Sequence, residues 1–248
     1  MRIENENYLL YDLPWDTDYF GVKSCRLDLK QMITEAVFKD IKKEIQKYSF
    51  IAINNNNNEA MNNYLIGSKT NAFLVDVNIQ FKKKIEKNHQ KINHQKIKIS
   101  NNYTEDKKIL SIAREAYCYS KFTNDPFLKR KKGEDVYYYW IKNAFNCENK
   151  YFLVSEIENK CQGYILFSMN IKENKAMIEL IAVNKECQRK NIGYEMIECF
   201  EAFLLKHSIK VINVGTQTDN IPAINFYFKC GFKEDNHRSV YHWWRNNY

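Results

Sequence analysis

The chain has 248 residues, 44% hydrophobic and 15% aromatic, with a formal net charge of +8. That length suits one large domain or two small ones, and with no apolar run of about eighteen residues a bilayer-spanning helix is excluded. The charge points to an anionic, phosphate-bearing partner or else follows from the abundance of Lys, Asn and Ile; without a basic stripe interleaved with aromatics, nucleic acid is not the expected partner.

The N-terminus, MRIENENYLLYDLP, has acidic residues where a signal peptide is basic, and no apolar stretch. Seven scattered cysteines (Cys25, Cys118, Cys147, Cys161, Cys187, Cys199, Cys230) form no CxxC pair. Reduced thiols in a cytoplasmic protein, with no metal site, are therefore expected.

Tyr8 to Leu13 reads as a strand, WDTDYFG (15–21) as an aromatic loop, and 31–47 as a helix. Tyr48 to Ile53 reads as a buried strand, the five asparagines at 54–58 as a loop entering a helix, and 72–81 as a strand. These form a first unit, residues 1–85. The basic stretch Lys82 to Ser100 repeats NHQKI at 88–92 and 93–97, and residues 86–100 read as an exposed linker. His89 and His94, five apart, are poorly spaced on a helix for a shared metal.

Residues 101–248 form a second unit. A helix from Asp106 to Ser120 turns Ile109, Ile112, Ala113 and Ala116 inward. KFTNDPFLKRKKG reads as a loop punctuated by Asp125-Pro126 and Gly133, and VYYYWIKNAF opens another helix. Strands are expected at 151–157, 163–171 and 176–183, the first two joined by a tight turn at Asn159-Lys160. Helix 192–207, strand 210–214, helix 222–230 and strand 239–244 complete a mixed α/β sheet with helical crossovers.

Two segments carry chemistry. In IELIAVNKECQRKNIGYEMI (178–197) an apolar strand enters a polar loop, and a helix opens at a glycine. The N–H groups of a helix's first turn lack partners and its dipole favours anions. Gln188, Arg189, Lys190, Asn191, Ile192 and Gly193 thus form a loop suited to a pyrophosphate. Gly193 allows close backbone approach to a ligand, and Asn191 tolerates left-handed geometry. An ordinary strand-to-helix turn looks similar.

The second segment is DNIPAINFYFKCGF (219–232). Asn220, Ala223, Tyr227 and Gly231-Phe232 recur at helical spacing. Asn220 is a candidate N-cap, Pro222 is tolerated in the first turn, and Gly231 is a C-terminal stop. Ala223 leaves room beside the Tyr227 phenol. Alone, such a tyrosine reads as a packed residue of a core helix.

Together the segments resemble the coenzyme A site of the GNAT superfamily of N-acyltransferases, whose loop runs Gln/Arg–x–x–Gly–x–Gly/Ala. Gln188 and Gly193 match it, Asn191 stands in place of its first glycine, and the second motif is complete. The resemblance implies the GNAT fold, acetyl-CoA as co-substrate and no metal. It implies that Ile181, Ala182 and Val183 offer backbone groups to the pantetheine. The loop through Tyr194, with Asn220 and Ala223, would hold the rest of the cofactor, and Tyr227 would protonate the departing thiolate. A phenol of pKa about 10 can donate to a thiolate of pKa about 8.5. Backbone N–H groups near the splayed strand would meet charge growing on the thioester oxygen. Glu179 is the candidate general base, with a water relay as the alternative.

A narrower resemblance covers more of the chain. LPWDTDYFG (13–21), YSKFTNDPF (119–127) with YYYWI (137–141), VGTQTDNIPAINFYFKCGF (214–232) and VYHWW (240–244) are similar to dTDP-fucosamine acetyltransferases. Those enzymes acetylate the 4-amino group of a nucleotide-linked dideoxy sugar. Their Ser-Arg-Phe before Asp-Pro is here Ser120-Lys121-Phe122 before Asp125-Pro126. Lys121, Phe122 and Asp125 are accordingly expected at the acceptor, although lysine lacks arginine's bidentate grip on anions and Phe122 also reads as a core aromatic. The N-terminal unit would be a degenerate acyltransferase-like half that walls the acceptor site, and a homodimer would form through the C-terminal strands.

An acceptor amine of pKa about 8 is about a tenth neutral at pH 7, whereas a lysine-like amine is only about 0.04% neutral and calls for a strong base. No well-placed His or carboxylate pair accompanies the motifs, which favours the weaker amine. Other amines (an amino acid, polyamine, antibiotic or protein terminus) and a non-catalytic coenzyme A-binding protein stand as alternatives. His237, His242 and Trp243-Trp244 read as packing, surface or subunit-contact residues. Cys230 reads as a small buried filler.

Overall fold

A computed structural model describes residues 1–86, 96–145 and 147–245. The NHQKI repeat with His89 and His94 lies almost wholly outside them. One eleven-stranded mixed sheet organises the described chain, with the strands in the order β1-β2-β3-β4-β11-β5-β10-β9-β8-β7-β6. Their ranges are β1 Arg2–Glu4, β2 Tyr8–Asp12, β3 Ser24–Leu29, β4 Phe50–Asn56, β5 Phe73–Lys84, β6 Ile97–Ser100, β7 Tyr151–Ile157, β8 Lys160–Asn170, β9 Lys175–Val183, β10 Val211–Gln217 and β11 Lys233–Trp244. No helix among the described residues is long and apolar enough to cross a membrane.

The order shows an exchange. Helix α2 (Glu35–Glu44) links the parallel pair β3 and β4, and helix α3 (Ala60–Lys69) leads on to β5. In the second half, helix α8 (Ile192–Lys206) links the parallel pair β9 and β10, and helix α9 (Ile221–Lys229) leads on to β11. Yet β5 pairs with β10, and β11 pairs with β4 and β5. Each half thus lends its last strand to the other, and a single ladder of backbone hydrogen bonds crosses between them.

Strand alternation sets the two faces of the sheet. On one face α2 and α3 cover Leu10, Leu27, Leu29, Ile51 and Ile53. There α8 and α9 cover Phe81, Leu153, Ile165, Phe167, Ile212 and Val214. The opposite face carries Phe50, Ala52, Phe152, Tyr164, Leu166 and Trp244. Helices α1 (Pro14–Phe20), α4 (Lys107–Ala116), α5 (Lys121–Asn124), α6 (Pro126–Arg130) and α7 (Val136–Ala144) cover it.

Several expectations shift. WDTDYFG is helix α1 rather than a loop, because Pro14 starts it and Gly21, at φ 66°, stops it. KFTNDPFLKRKKG is two short helices, with Ser120 capping α5 and Asp125 capping α6 through the N–H groups of Phe127 and Leu128. Strands β1, β3 and β6 were not foreseen, and β6 lies inside the expected linker. The first asparagines of the run extend β4 through Asn56, and the chain turns at Asn57 and Asn58, both left-handed. The β7–β8 turn sits on Glu158 and Asn159, one residue earlier than expected, both with positive φ as its type requires.

Candidate active site

Strands β9 and β10 pair only from Lys175↔Val211 to Ile178↔Val214 and then separate. The register between β8 and β9 also slips there, from Phe167↔Ile178 to Leu166↔Leu180, which leaves Glu179 without a partner opposite. Beyond that bulge the β10-facing edge of β9, through Ile181, Ala182 and Val183, is unpaired by strand. A cavity of about 1040 Å³ occupies the opening. Residues from both faces of the sheet line it, so the opening joins the α8–α9 side to the α4–α7 side.

On the α8–α9 side stands the turn foreseen in the sequence. Arg189 and Asn191 are left-handed, at φ 60° and 62°. Asn191 precedes the first turn of α8 and adds no side-chain cap, so its geometry, rather than a hydrogen bond, suits it to the position. Gln188, Arg189, Asn191, Ile192, Gly193 and Tyr194 line the cavity. Lys190 is exposed beside them, its Nζ on the Glu186 carbonyl at 3.0 Å. Gln188 Nε2 donates to the Val183 carbonyl at 3.3 Å, tying the loop to the end of β9.

Gly193 also makes room within the protein. A Cβ there would lie 3.0 Å from Phe226 Cε2 and 3.7 Å from Val183 Cγ2. The missing side chain admits the ring of Phe226 from α9, which sets the two helices against each other.

Helix α9 follows its sequence. Asn220 Oδ1 accepts from the Ala223 N–H at 3.2 Å, and Asn220 Nδ2 donates to Thr216 Oγ1 at 3.2 Å, which anchors the helix start to β10. Gly231 stops it at φ 80°. Tyr227, 4% exposed, packs against Phe81, Phe226 and Phe232. It lines the cavity, and burial raises its phenol above the usual value. Such a group stays protonated and can act as a donor.

Glu179 also lines the cavity and is ion-paired with Lys150. Cys230 is buried beside the site, and burial pushes its thiol up to about 11, so it is held as a neutral thiol.

The α4–α7 side holds the far end of the cavity. Phe122 and Lys121 line it, and Phe122 is also packed in the core. Burial, followed by repulsion from Arg26, lowers the Lys121 ammonium to about 7. Asp125 does not reach it. Its 0% exposed carboxylate caps α6, accepts from Trp244 Nε1 at 2.9 Å and meets His242 Nδ1 at 2.6 Å. Burial lowers His242 to about 4, so that pair is a neutral imidazole on a carboxylate and its role is structural.

Residues missed by the sequence reading complete this end: Arg26 of β3, Asn54 of β4, Asp76, Asn78 and Gln80 of β5, Arg238 of β11 and Tyr117 after α4; Tyr137 and Trp140 of the YYYWI stretch join them from α7. Burial raises the Asp76 carboxyl to about 6. The signal was present in DVNIQ, where Asp76, Asn78 and Gln80 alternate with apolar residues. A polar face of a strand ordinarily reads as solvent-facing.

Residues 115–232 match the acetyltransferase (GNAT) family. The chain is 23% identical over 136 residues to the spore coat polysaccharide biosynthesis protein SpsD of Bacillus subtilis (strain 168), covering 55% of this chain and 46% of that one. It is 39% identical over 57 residues to the streptothricin acetyltransferase of Escherichia coli, covering 23% and 33%. The chain thus spans less than half the length of these two curated relatives. A tandem GNAT protein from the clavulanic acid biosynthesis pathway superposes with a TM-score of 0.58 at 10% identity, covering 90% of this chain and 76% of that one. The mixed sheet with its splayed central strands is the GNAT fold, as the sequence led us to expect.

Proposed function

We propose that this chain, which carries a GNAT acetyltransferase segment over residues 115–232, is an acetyl-CoA-dependent N-acetyltransferase acting on the amine of a nucleotide-linked amino-dideoxy sugar. The observation that carries the reading is a cavity with the exposed first turn of α8 at one end, the Tyr227 phenol between, and a polar pocket at the other. A diphosphate suits the N–H groups of Ile192, Gly193 and Tyr194, with Arg189 and Lys190 beside them. A pantetheine chain can pair with the free edge of β9 from Ile181 to Val183, as an added strand would.

Bound acetyl-CoA would supply the acetyl thioester. The chain's own groups do the rest. Unpaired β9 N–H groups hold the thioester oxygen as charge grows on it. Tyr227 keeps a proton at its phenol oxygen for the departing sulfur. The carbon–nitrogen bond forms as the carbon–sulfur bond breaks, with no covalent link to the protein. Glu179, or a water beside it, takes the proton from the amine.

The acceptor class rests on the polar far pocket and on SpsD, named for polysaccharide biosynthesis, among the similar proteins. The N-terminal residues that line the pocket support reading 1–85 as an acyltransferase-like half that walls the acceptor. Acetylation of another small amine or a peptide is the second reading, favoured by the similarity to a streptothricin acetyltransferase. Incubation with acetyl-CoA and a panel of nucleotide amino sugars, antibiotics, polyamines and peptides, followed by free thiol release, separates the two. The reading expects turnover with a nucleotide amino sugar; turnover with peptides or antibiotics alone would overturn its substrate.

A further inference from the structure

Three cations surround the far end of the cavity, on elements distant in sequence: Arg26 on β3, Lys121 at the start of α5 and Arg238 on β11. Arg26 and Arg238 stand on the same sheet face. Through β4 and β11, Arg26 lies opposite Ala52, Ala52 opposite His242, and Arg238 follows four residues before His242 on that strand.

Neither guanidinium has a salt bridge among the described residues, although Asp16 faces Arg26 and Lys121, and Asp28 and Asp76 face Arg238, at longer range. Arg26 Nη1 reaches only the Tyr11 hydroxyl, at 3.4 Å, and its Nε is buried with no hydrogen-bond partner. A buried, unpartnered guanidinium N–H costs free energy comparable to a lost charged hydrogen bond. Burial first, and then Arg26, disfavours the charge on Lys121; at Arg238 burial again leads, and the pull of Asp28 opposes the push of Arg26. Asp28, the nearest acidic neighbour along β3, is engaged by Asn54 Nδ2 at 2.6 Å.

We infer that Arg26 and Arg238 form an anion-binding subsite for the diphosphate of the acceptor, at the end of the cavity opposite the α8 turn. The identity of the ligand as the acceptor's diphosphate rests on the nucleotide-sugar acetyltransferase reading; the anion site itself does not. A tetrahedral oxyanion gives both forked guanidiniums parallel donors, which a single ammonium cannot match. It also eases the repulsion between the two guanidiniums. Because β3 belongs to the first half and β11 to the second, the strand exchange is what brings the two arginines to one pocket.

The test uses the intact protein saturated with coenzyme A, so that the α8 turn is filled. Inorganic pyrophosphate is then titrated calorimetrically into wild type, Arg26→Gln and Arg238→Gln. Losing one charged partner should weaken pyrophosphate binding about tenfold or more in each variant, while coenzyme A affinity stays within about twofold. Arg238→Lys should fall between wild type and Gln. Circular dichroism melts identify a variant that fails to fold, in which case the Lys variant carries the comparison.

Equal pyrophosphate affinity in wild type and folded variants overturns the subsite. So does absence of binding to the saturated wild type at millimolar concentrations. Malonate in place of pyrophosphate separates a dicarboxylate from a diphosphate: tighter, arginine-dependent malonate binding overturns the diphosphate assignment. Failure of the wild type to bind coenzyme A would count against the acetyltransferase reading, whereas arginine-independent pyrophosphate binding counts against the subsite alone.

Discussion

Among single residues, Tyr227 is the proposed proton donor. Its ring is fixed by three aromatic neighbours, and burial keeps the phenol protonated where the cavity passes through the sheet. Replacing Tyr227 with Phe keeps the ring and removes only the proton donor. Acetyl transfer should slow by about 100-fold, in the range of a lost general acid, while the dissociation constant of coenzyme A changes little. Stopped-flow thiol release and calorimetry measure the two quantities. Unchanged turnover would remove the phenol from the mechanism. Glu179, held by Lys150, is a less exclusive candidate, since water beside it can take the same proton.

Among the elements, α6 and β11 are joined by a buried Asp125–His242 contact, which gives the molecule an acid limit. His242 falls from 6.5 to about 4 because burial disfavours the imidazolium. A lowered value means that the stabilisation is present above the unfolded value near 6.5 and is lost as pH drops through about 4. The neighbouring Asp125 is itself held below its usual value, so its protonation falls in the same acid direction. Full loss amounts to about 3 kcal/mol. Thermal melts between pH 7 and 4 should show wild type losing more stability than His242→Asn, which keeps a donor toward Asp125 without a titrating ring. Parallel losses in the two proteins would contradict this.

The same scale shows what the sequence made legible. Helices α8 and α9 were readable because punctuation and periodicity agree: left-handed Asn191, N-cap Asn220 and stop Gly231 all stand where local chemistry demands. Helix α1 was not, because its seven residues are shorter than the window over which helical periodicity becomes visible. Strand β3 was hidden for the opposite reason. Arg26 and Asp28 alternate with Cys25, Leu27 and Leu29, yet Arg26 turns into a cavity rather than to solvent. Asp125 was readable as important but not as structural; only its partners on β11, more than a hundred residues away, show that it is spent on packing.

For the whole molecule, the exchange of β5 and β11 is the property no local pattern encodes. Both neighbours of β11 come from the first 85 residues, and β5 separates β11 from β10. A chain of residues 96–248 alone would leave β11 without either partner and the β10 edge open to aggregation. We expect it to lack a cooperative melt and to transfer no acetyl group. A soluble, active fragment would show that the second half is an independent domain. The exchange also explains why the pocket opposite the α8 turn is built from both halves, Arg26, Asn54 and Asp76 facing Lys121, Phe122 and Arg238.

The most direct test of the central claim is a crystal structure of the protein with coenzyme A. The diphosphate is expected on the N–H groups of Ile192 to Tyr194 and the sulfur within a hydrogen bond's reach of the Tyr227 hydroxyl, about 3.5 Å. A cofactor lying elsewhere, or a sulfur turned away from that hydroxyl with the α8 turn empty, would contradict it.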